Sequence, residues 1–223
     1  MDKVIVAQNL SLSYSKDETI INKVSFSINS GDFVFITGAS GSGKSTLLKS
    51  LYGALKPDEG SLVVAGVELK GVSKSKLNLL RKHTGIVFQD YKLIKEWTIE
   101  KNIMLPLIIS GYDKGVIQNQ VDTLLKHVRL KHQSGKYPPE LSGGEQQRVA
   151  MARALSHNPI LILAEEPTGN LDDYSSQLIW NLLEGANTQL KSTVIVVTHH
   201  IPESMNIEYK HFHIEYGSIH EVL

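Results

Sequence analysis

Phe33-Val34-Phe35-Ile36-Thr37-Gly38-Ala39-Ser40-Gly41-Ser42-Gly43-Lys44-Ser45-Thr46 runs from an apolar segment through a glycine-rich octet into residues with helical spacing. The octet Gly38 to Ser45 fits the phosphate-loop pattern G-x-x-x-x-G-K-[ST], and a strand before it with a helix after it is the context that pattern needs. The glycines let the backbone curl so that N–H groups of Gly38, Ala39, Ser40, Gly41, Ser42 and Gly43 converge on one phosphate, with the helix N-terminus adding positive potential. Lys44 supplies a mobile charge for β- and γ-phosphates. Ser45 offers a hydroxyl to Mg²⁺, and Thr46 a hydrogen bond to an α-phosphate. The competing reading is a glycine-rich turn with a chance lysine, which the strand and helix context disfavours.

Outward from this stretch, Val4 to Gln8, Ser11 to Tyr14 and Val24 to Ile28 alternate apolar and polar residues and read as strands. Ser30-Gly31-Asp32 is a turn. A helix is expected over Lys44 to Leu55, a strand at Leu62 to Ala65, a helix near Lys74 to Lys82 and a buried strand at Gly85 to Phe88. From Thr98 to Ser156 the texture is helical. Strands return at Ile160 to Ala164 and Thr193 to Val197, with a helix at Tyr174 to Gln189 between them. His211 to Glu215 and Ser218 to Val222 form a closing hairpin around Tyr216-Gly217. The pattern is an α/β core with an α-helical insertion.

The 223 residues suit one domain. With 23 basic and 23 acidic side chains the net charge is zero, which argues against a general nucleic-acid binder. Absence of cysteine excludes disulfides and thiolate metal sites and fits a reducing compartment. The apolar runs Ile160 to Ala164 and Met104 to Ile109 fall short of the roughly 20 residues needed to span a bilayer, so any membrane role must come through a partner. The opening MDKVIVAQNL does not resemble a signal peptide.

Ile160 to Ala164 ends in Glu165-Glu166-Pro167-Thr168. In phosphate-loop enzymes a carboxylate at such a strand end holds the Mg²⁺ shell and another polarises a water. Adjacent strand residues point to opposite faces, so the two acids diverge unless the chain bends at Pro167. A solvated acidic turn is the plainer alternative.

Leu141-Ser142-Gly143-Gly144-Glu145-Gln146-Gln147-Arg148 resembles the signature motif of ABC ATPases, and the helix that it opens, Gly144 to Leu155, presents its N-terminus to an anion. The family's other elements follow in order over nearly the whole chain. Tyr14 resembles the aromatic residue that stacks on adenine. Gln89 resembles the glutamine that touches Mg²⁺ or the attacking water and joins two subdomains. Asp172 in Asn170-Leu171-Asp172 resembles the D-loop aspartate, and His199 the switch histidine. The resemblance implies a P-loop NTPase (RecA-like) core over about 1–90 and 157–223, carrying an antiparallel β subdomain, with a helical subdomain over about 91–156.

It also implies ATP with Mg²⁺ as ligands and a head-to-tail homodimer formed when ATP binds. In that arrangement Ser142, Gly143, Gly144, Glu145 and Asp172 of one subunit complete the ATP site of the other. Glu166 and His199 are the implied catalytic pair, and Ser45, Gln89 and Glu165 the implied metal ligands. Two positions depart from the family pattern. Glu165 stands where Asp is usual, setting its carboxylate one methylene further out, so hydrolysis could be slow or need a partner. His200 stands where Asp commonly follows the histidine.

Val87 to Ile109, Leu141 to Leu155 and Thr168 to Asp172 are similar to the branch that holds the FtsE, LolD and MacB-type ATPases. Pro106 to Gly111 and the doublet Asp172-Asp173 lean toward the FtsE cell-division ATPases. That implies an FtsX-like integral membrane subunit and a place on the cytoplasmic face of the inner membrane, without insertion of this chain. A chain ending soon after its last hairpin disfavours importers with C-terminal sensor domains. A partner helix is expected in a groove containing Tyr91, Leu93, Ile94 and Trp97, residues that would otherwise pack the insertion's own core. LolD- or MacB-type lipoprotein release or export is one alternative, and a nucleotide-gated scaffold with negligible hydrolysis another. Rad50- or SMC-type repair ATPases need a long coiled coil that does not fit between Ser45 and Ser142. Translation ABC proteins carry two cassettes, and a small-molecule kinase would not need Ser142 to Glu145.

Overall fold

A computed structural model describes residues 2–15, 18–203 and 205–222. Among the described residues ten strands form two sheets. The first is antiparallel, with spatial order β2-β1-β4-β5, made of β1 (Lys3–Ser15), β2 (Glu18–Asn29), β4 (Glu59–Val64) and β5 (Val67–Glu68). The two short strands expected at the start are one long β1, bent by register shifts around Asn9, whose φ is +47°.

The second sheet has the order β10-β9-β3-β8-β7-β6: β3 (Phe33–Gly38), β6 (Thr84–Val87), β7 (Leu161–Glu165), β8 (Thr193–Val197), β9 (Lys210–Glu215) and β10 (Ser218–Val222). All neighbours are parallel except the closing hairpin of β9 and β10. Tyr216 and Gly217 make that two-residue turn with φ of +48° and +74°. Positive φ at both central residues marks the hairpin turn whose twist matches its strands.

Strands β3, β7 and β8 read as unbroken apolar runs because both faces of this sheet are covered. Phe33, Phe35, Ile162, Ala164, Val194 and Val196 face one core, shared with helices α3 (Ile99–Ser110), α4 (Lys114–His127), α5 (Gly143–Leu155) and α6 (Asp173–Thr188). Val34, Ile36, Leu161, Leu163, Ile195 and Val197 face a second core, shared with the first sheet and with α1 (Lys44–Leu51) and α2 (Lys74–Lys82). The period-2 alternation of strand side chains assigns each residue to its core.

Helix α1 is shorter than its sequence pattern. It ends at Leu51, with Tyr52 as its C-cap, because Gly53 turns left-handed at φ +67° and the N–H groups of Ala54 and Leu55 return to the Lys49 carbonyl. Between β6 and β7 the described residues carry α3, α4, α5 and two single 3₁₀ turns, and no strand. Buried Asn102 on α3 ties down the loop before it. Its amide bonds both the N–H (2.8 Å) and the carbonyl (3.0 Å) of Ile94 and the carbonyls of Trp97 and Thr98.

Candidate nucleotide site

In an open parallel sheet, ligands bind beyond the carboxyl ends of the strands. Four neighbouring strands here end on candidate residues. β3 runs into Gly38, β6 is followed by Gln89, β7 ends at Glu165, and β8 is followed by Thr198 and His199. Register keeps the tips level, with Ile36 beside Val197 and Val197 beside Glu165. A cavity of about 350 Å³ lies there, walled by Ser40, Gly41, Lys44, Ser45, Gln89, Glu165, Glu166 and His199.

The loop after β3 leaves no room for a side chain at its first glycine. A Cβ on Gly38 would sit 2.4 Å from the Ile214 carbonyl oxygen and 2.6 Å from Ser42 Oγ. Helix α1 starts at Gly43 with no side-chain cap and no acid in its first turn, so its N-terminal donors are left for an anion. Lys44 Nζ donates to the carbonyls of Gly38 (2.8 Å) and Ala39 (2.9 Å), which hold the ammonium at the loop mouth. Burial pushes its pKa down, and the nearby Glu166 charge opposes that shift.

Glu166 supplies the bend that brings both acids into one cavity. Its φ is +43° and its N–H bonds the Val197 carbonyl at 2.8 Å. The turn therefore falls one residue before Pro167, and Glu165 and Glu166 line the same wall instead of diverging. Thr198 Oγ1 donates to Glu166 Oε2 at 3.1 Å and fixes the carboxylate plane. Glu166 Oε1 is buried, with no hydrogen-bond partner among the described residues, and lies 3.5 Å from His199 Nε2. An orphaned buried acceptor beside an exposed imidazole is a poised arrangement for a water that needs both an acceptor and a donor.

The oxygen donors of Ser45, Gln89, Glu165 and Glu166 suit a hard cation of the Mg²⁺ type. That ion takes one or two carboxylates and completes its shell with phosphate and water. Among the described residues no cluster of three or more histidines, cysteines or acids could hold a metal without such help.

Tyr14 and Thr46 lie beside the cavity rather than in its wall. The Tyr14 ring is 55% exposed, Lys49 Nζ sits 5.5 Å from its centroid, and its hydroxyl accepts from Lys49 (3.2 Å) and Thr46 (3.4 Å). Burial raises the phenol pKa, but those two hydrogen bonds and the lysine charge outweigh it and leave the group below its ordinary value.

Ser142, Gly143, Gly144, Glu145 and Asp172 are not among the residues that line this cavity. Ser142 caps α5, accepting from the Glu145 N–H at 3.3 Å, while Glu145 accepts from the Ser142 N–H (2.8 Å) and from Gln133 (2.6 Å). Both Glu145 oxygens are thus engaged within its own chain, and its pKa is lowered first by Gln133 and then by Ser142. Gly143, the first residue of this helix, is exposed. Asp172 caps α6 through the Ser175 N–H (2.9 Å) and hydroxyl (2.9 Å), which hold its carboxyl below the usual range. A Cβ on Gly144 would come within 2.9 Å of Ser175 Oγ, so the two helix starts touch.

Three positions went unassigned in the sequence reading. Thr198 orients Glu166, Gln147 bonds the Pro167 carbonyl at 2.7 Å, and Asn170 lines the cavity. Gln147 and Asn170 lie inside motifs already singled out, and Thr198 lies between the strand ending at Val197 and His199.

A second concavity, of about 520 Å³, lies between α2, β6, α3 and α5. The expected groove residues Tyr91, Leu93, Ile94 and Trp97 do not line it. Leu93 turns into the core, Asn102 holds Ile94, and Arg153 draws in the carbonyls of Tyr91 and Lys92, each at 2.7 Å. Phe88, Leu105, Pro106 and Ile109 form the apolar wall instead.

A phosphate loop at the end of a central parallel strand, with acids and a histidine on the adjoining strand ends, defines a nucleoside triphosphatase of the P-loop α/β class. A model of the ABC transporter family matches residues 21–169, and the chain belongs to that family as one of its ATP-binding ATPase domains. The cell division ATP-binding protein FtsE of Streptococcus pneumoniae is 41% identical over 216 residues, which cover 97% of this chain and 94% of that protein. The lipoprotein-releasing system ATP-binding protein LolD 1 of Chlorobium chlorochromatii is 42% identical over 196 residues, covering 87% and 80%. A dimeric ATP-binding cassette in a post-hydrolysis state, bound to ADP and Pi, matches with a TM-score of 0.87 at 33% identity, over 98% of this chain and 97% of that one.

Proposed function

We propose that this chain is the ATP-hydrolysing subunit of a membrane complex of the FtsE type, closing as an ATP-dependent head-to-tail homodimer and pulling on an FtsX-like membrane subunit during cell division. One observation carries the dimer. The cavity holds the phosphate loop, both acids, Gln89 and His199, yet not the anion-binding start of α5, whose Ser142 and Gly143 are exposed. A second copy would bring that helix end, and Asp172, to the open side of the γ-phosphate. Glu145 then acts as the brace of that helix start, given its bonds to Ser142 and Gln133.

In this reading Tyr14 stacks on adenine, the loop from Gly38 to Ser45 holds the phosphates, and Thr46 reaches the α-phosphate. Mg²⁺, held by Ser45, Gln89 and Glu165, would offset charge on the β- and γ-phosphates. Glu166 accepts a hydrogen bond from the water that attacks the γ-phosphorus, and His199 aligns the water and the γ-phosphate. The bond from γ-phosphorus to the bridging oxygen breaks, ADP leaves, and the water oxygen stays on inorganic phosphate. Lys44 stabilises charge on the departing oxygen. The core of about 1–90 and 157–223 and the helical part of about 91–156 move relative to one another through Gln89, and the groove beside Phe88 receives the membrane subunit on the cytoplasmic face. No helix among the described residues is long and apolar enough to cross a membrane.

The test is steady-state ATPase activity of the purified chain with Mg²⁺, beside light scattering of Glu166→Gln with ATP. Turnover in the parent, with a trapped dimer in the variant, supports the reading. A parent that closes on ATP without turnover makes it a nucleotide-gated scaffold instead. LolD-type lipoprotein release is the second reading, favoured by the 42% identity to LolD 1. Co-purification with an FtsX-like rather than a lipoprotein-releasing membrane subunit separates the two.

A further inference from the structure

Strand β9 carries two histidines beside the phosphate loop. The alternation that buries Phe212 and Ile214 sets His211 and His213 on the opposite face. Register then lays a row across three strands. Thr37 of β3 lies beside His213, and His220 of β10 lies opposite His213. Side chains directly opposite on antiparallel strands share one face, with Cβ atoms about 5 Å apart. Thr37 immediately precedes Gly38, whose carbonyl holds Lys44 Nζ.

Two imidazole nitrogens of this row converge on one atom. His211 Nε2 lies 2.7 Å from Thr37 Oγ1, and His213 Nδ1 lies 3.0 Å from it. The hydroxyl has one proton to give, so it donates to one ring and accepts from the other. One ring therefore turns a lone pair inward, and a change of tautomer does the same for the second. Positive charge is resisted here. Burial first, and then the charge of His213, hold the His211 pKa below its ordinary value. Neutral imidazole is the form that binds a metal.

We propose that His211 and His213, joined by His220 when its ring rotates, bind one ion of the Zn²⁺ type beside the phosphate loop. As the side chains stand, no three histidines, cysteines or acids among the described residues form a metal cage. His220 is exposed on the edge strand, and exposed rings change rotamer readily. Imidazole ligands suit Zn²⁺, Ni²⁺ and Cu²⁺, not the Mg²⁺ that accompanies ATP. Three nitrogens at about 2.1 Å leave the fourth tetrahedral position to water. The Thr37 hydroxyl gives up both rings to the ion. The site is separate from the nucleotide cavity, whose wall holds none of these three histidines. It needs neither a second subunit nor a membrane partner.

The test titrates Zn²⁺ into the full chain, free of any affinity tag, in competition with a chromophoric chelator and without nucleotide. Expected is one ion per chain in the micromolar range, indifferent to millimolar Mg²⁺. His213→Asn and His211→Asn should each weaken binding by about tenfold or more, and His220→Ala by about three- to tenfold. Melting without metal checks that each variant folds. Zn²⁺ should raise the Tm of the parent and leave that of His213→Asn unmoved. A parent that binds no Zn²⁺ in that range overturns the proposal. Binding that persists in His213→Asn assigns the ion to others of the nine histidines, such as His199 and His200, and overturns it as well. Binding indifferent to His220→Ala overturns the three-imidazole site.

Discussion

Gln147, on the helix opened by Ser142, donates its side-chain N–H to the Pro167 carbonyl at 2.7 Å, immediately after the two acids of β7. Gln147 is 1% exposed and its own side-chain oxygen has no partner among the described residues. The helix opened by Ser142 is thereby fastened to the turn that aims Glu166. Gln147→Leu removes the donor and leaves that carbonyl buried and unpaired, at a cost of about 1–2 kcal/mol of stability. Its larger effect falls on geometry. Turnover should drop about tenfold with ATP affinity little changed, read by steady-state kcat beside a nucleotide-binding titration. Equal losses in both would make Gln147 a general stability residue.

Glu166→Gln keeps the bulk of the side chain but weakens its acceptor. Turnover should fall by about 10²–10³, while ATP binding and ATP-driven dimerisation persist, seen by single-turnover assay and light scattering. Thr198→Val, which removes the bond that orients Glu166, should lose a smaller factor, about tenfold, because the carboxylate stays but its plane is free.

Glu165→Asp withdraws the carboxylate by one methylene toward β7, to the length usual in this family. The variant should turn over several-fold faster at about 1 mM Mg²⁺, or reach half-maximal rate at lower Mg²⁺. A titration of rate against Mg²⁺ decides this. A slower variant would mean that the surrounding strand ends are built for the longer acid.

Mild acid should destabilise the fold through two histidines. His157 is shifted below the ordinary value of 6.5 by burial, and His211 by burial and then by the charge of His213. Because the folded state resists protonation there, the unfolded chain takes up protons first. Stability present above pH 6.5 is therefore lost as pH falls below it, and the loss stops growing below the folded-state values. Melting curves from about pH 7.5 to about pH 5.5 should show a falling Tm, and His157→Leu should flatten that slope.

Much of the architecture was legible because single residues have few structural options. Lys74 to Lys82 and Thr193 to Val197 match their expected elements residue for residue, since capping by Ser73 and a run of branched apolar residues leave little choice. Where local signals and tertiary contacts compete, the sequence is silent. Lys44 to Leu55 is apolar enough for three turns of helix, but Gly53 turns left-handed and α1 stops at Leu51. Tyr91 to Trp97 reads as an apolar docking strip, yet Arg153 and Asn102, distant in sequence or direction, pull its backbone inward.

From its motifs alone the chain declared a phosphate loop, a strand-end pair of acids and a second glycine-rich helix start, because each is a contiguous run whose chemistry depends on backbone N–H groups and adjacent side chains. Tertiary structure alone decided that Glu165 and Glu166 share one cavity and that Thr198 sets the plane of Glu166. Those facts depend on which strands are neighbours and on a positive φ at Glu166, and neighbour relations across a parallel sheet are fixed by packing of the whole chain, not by any one segment.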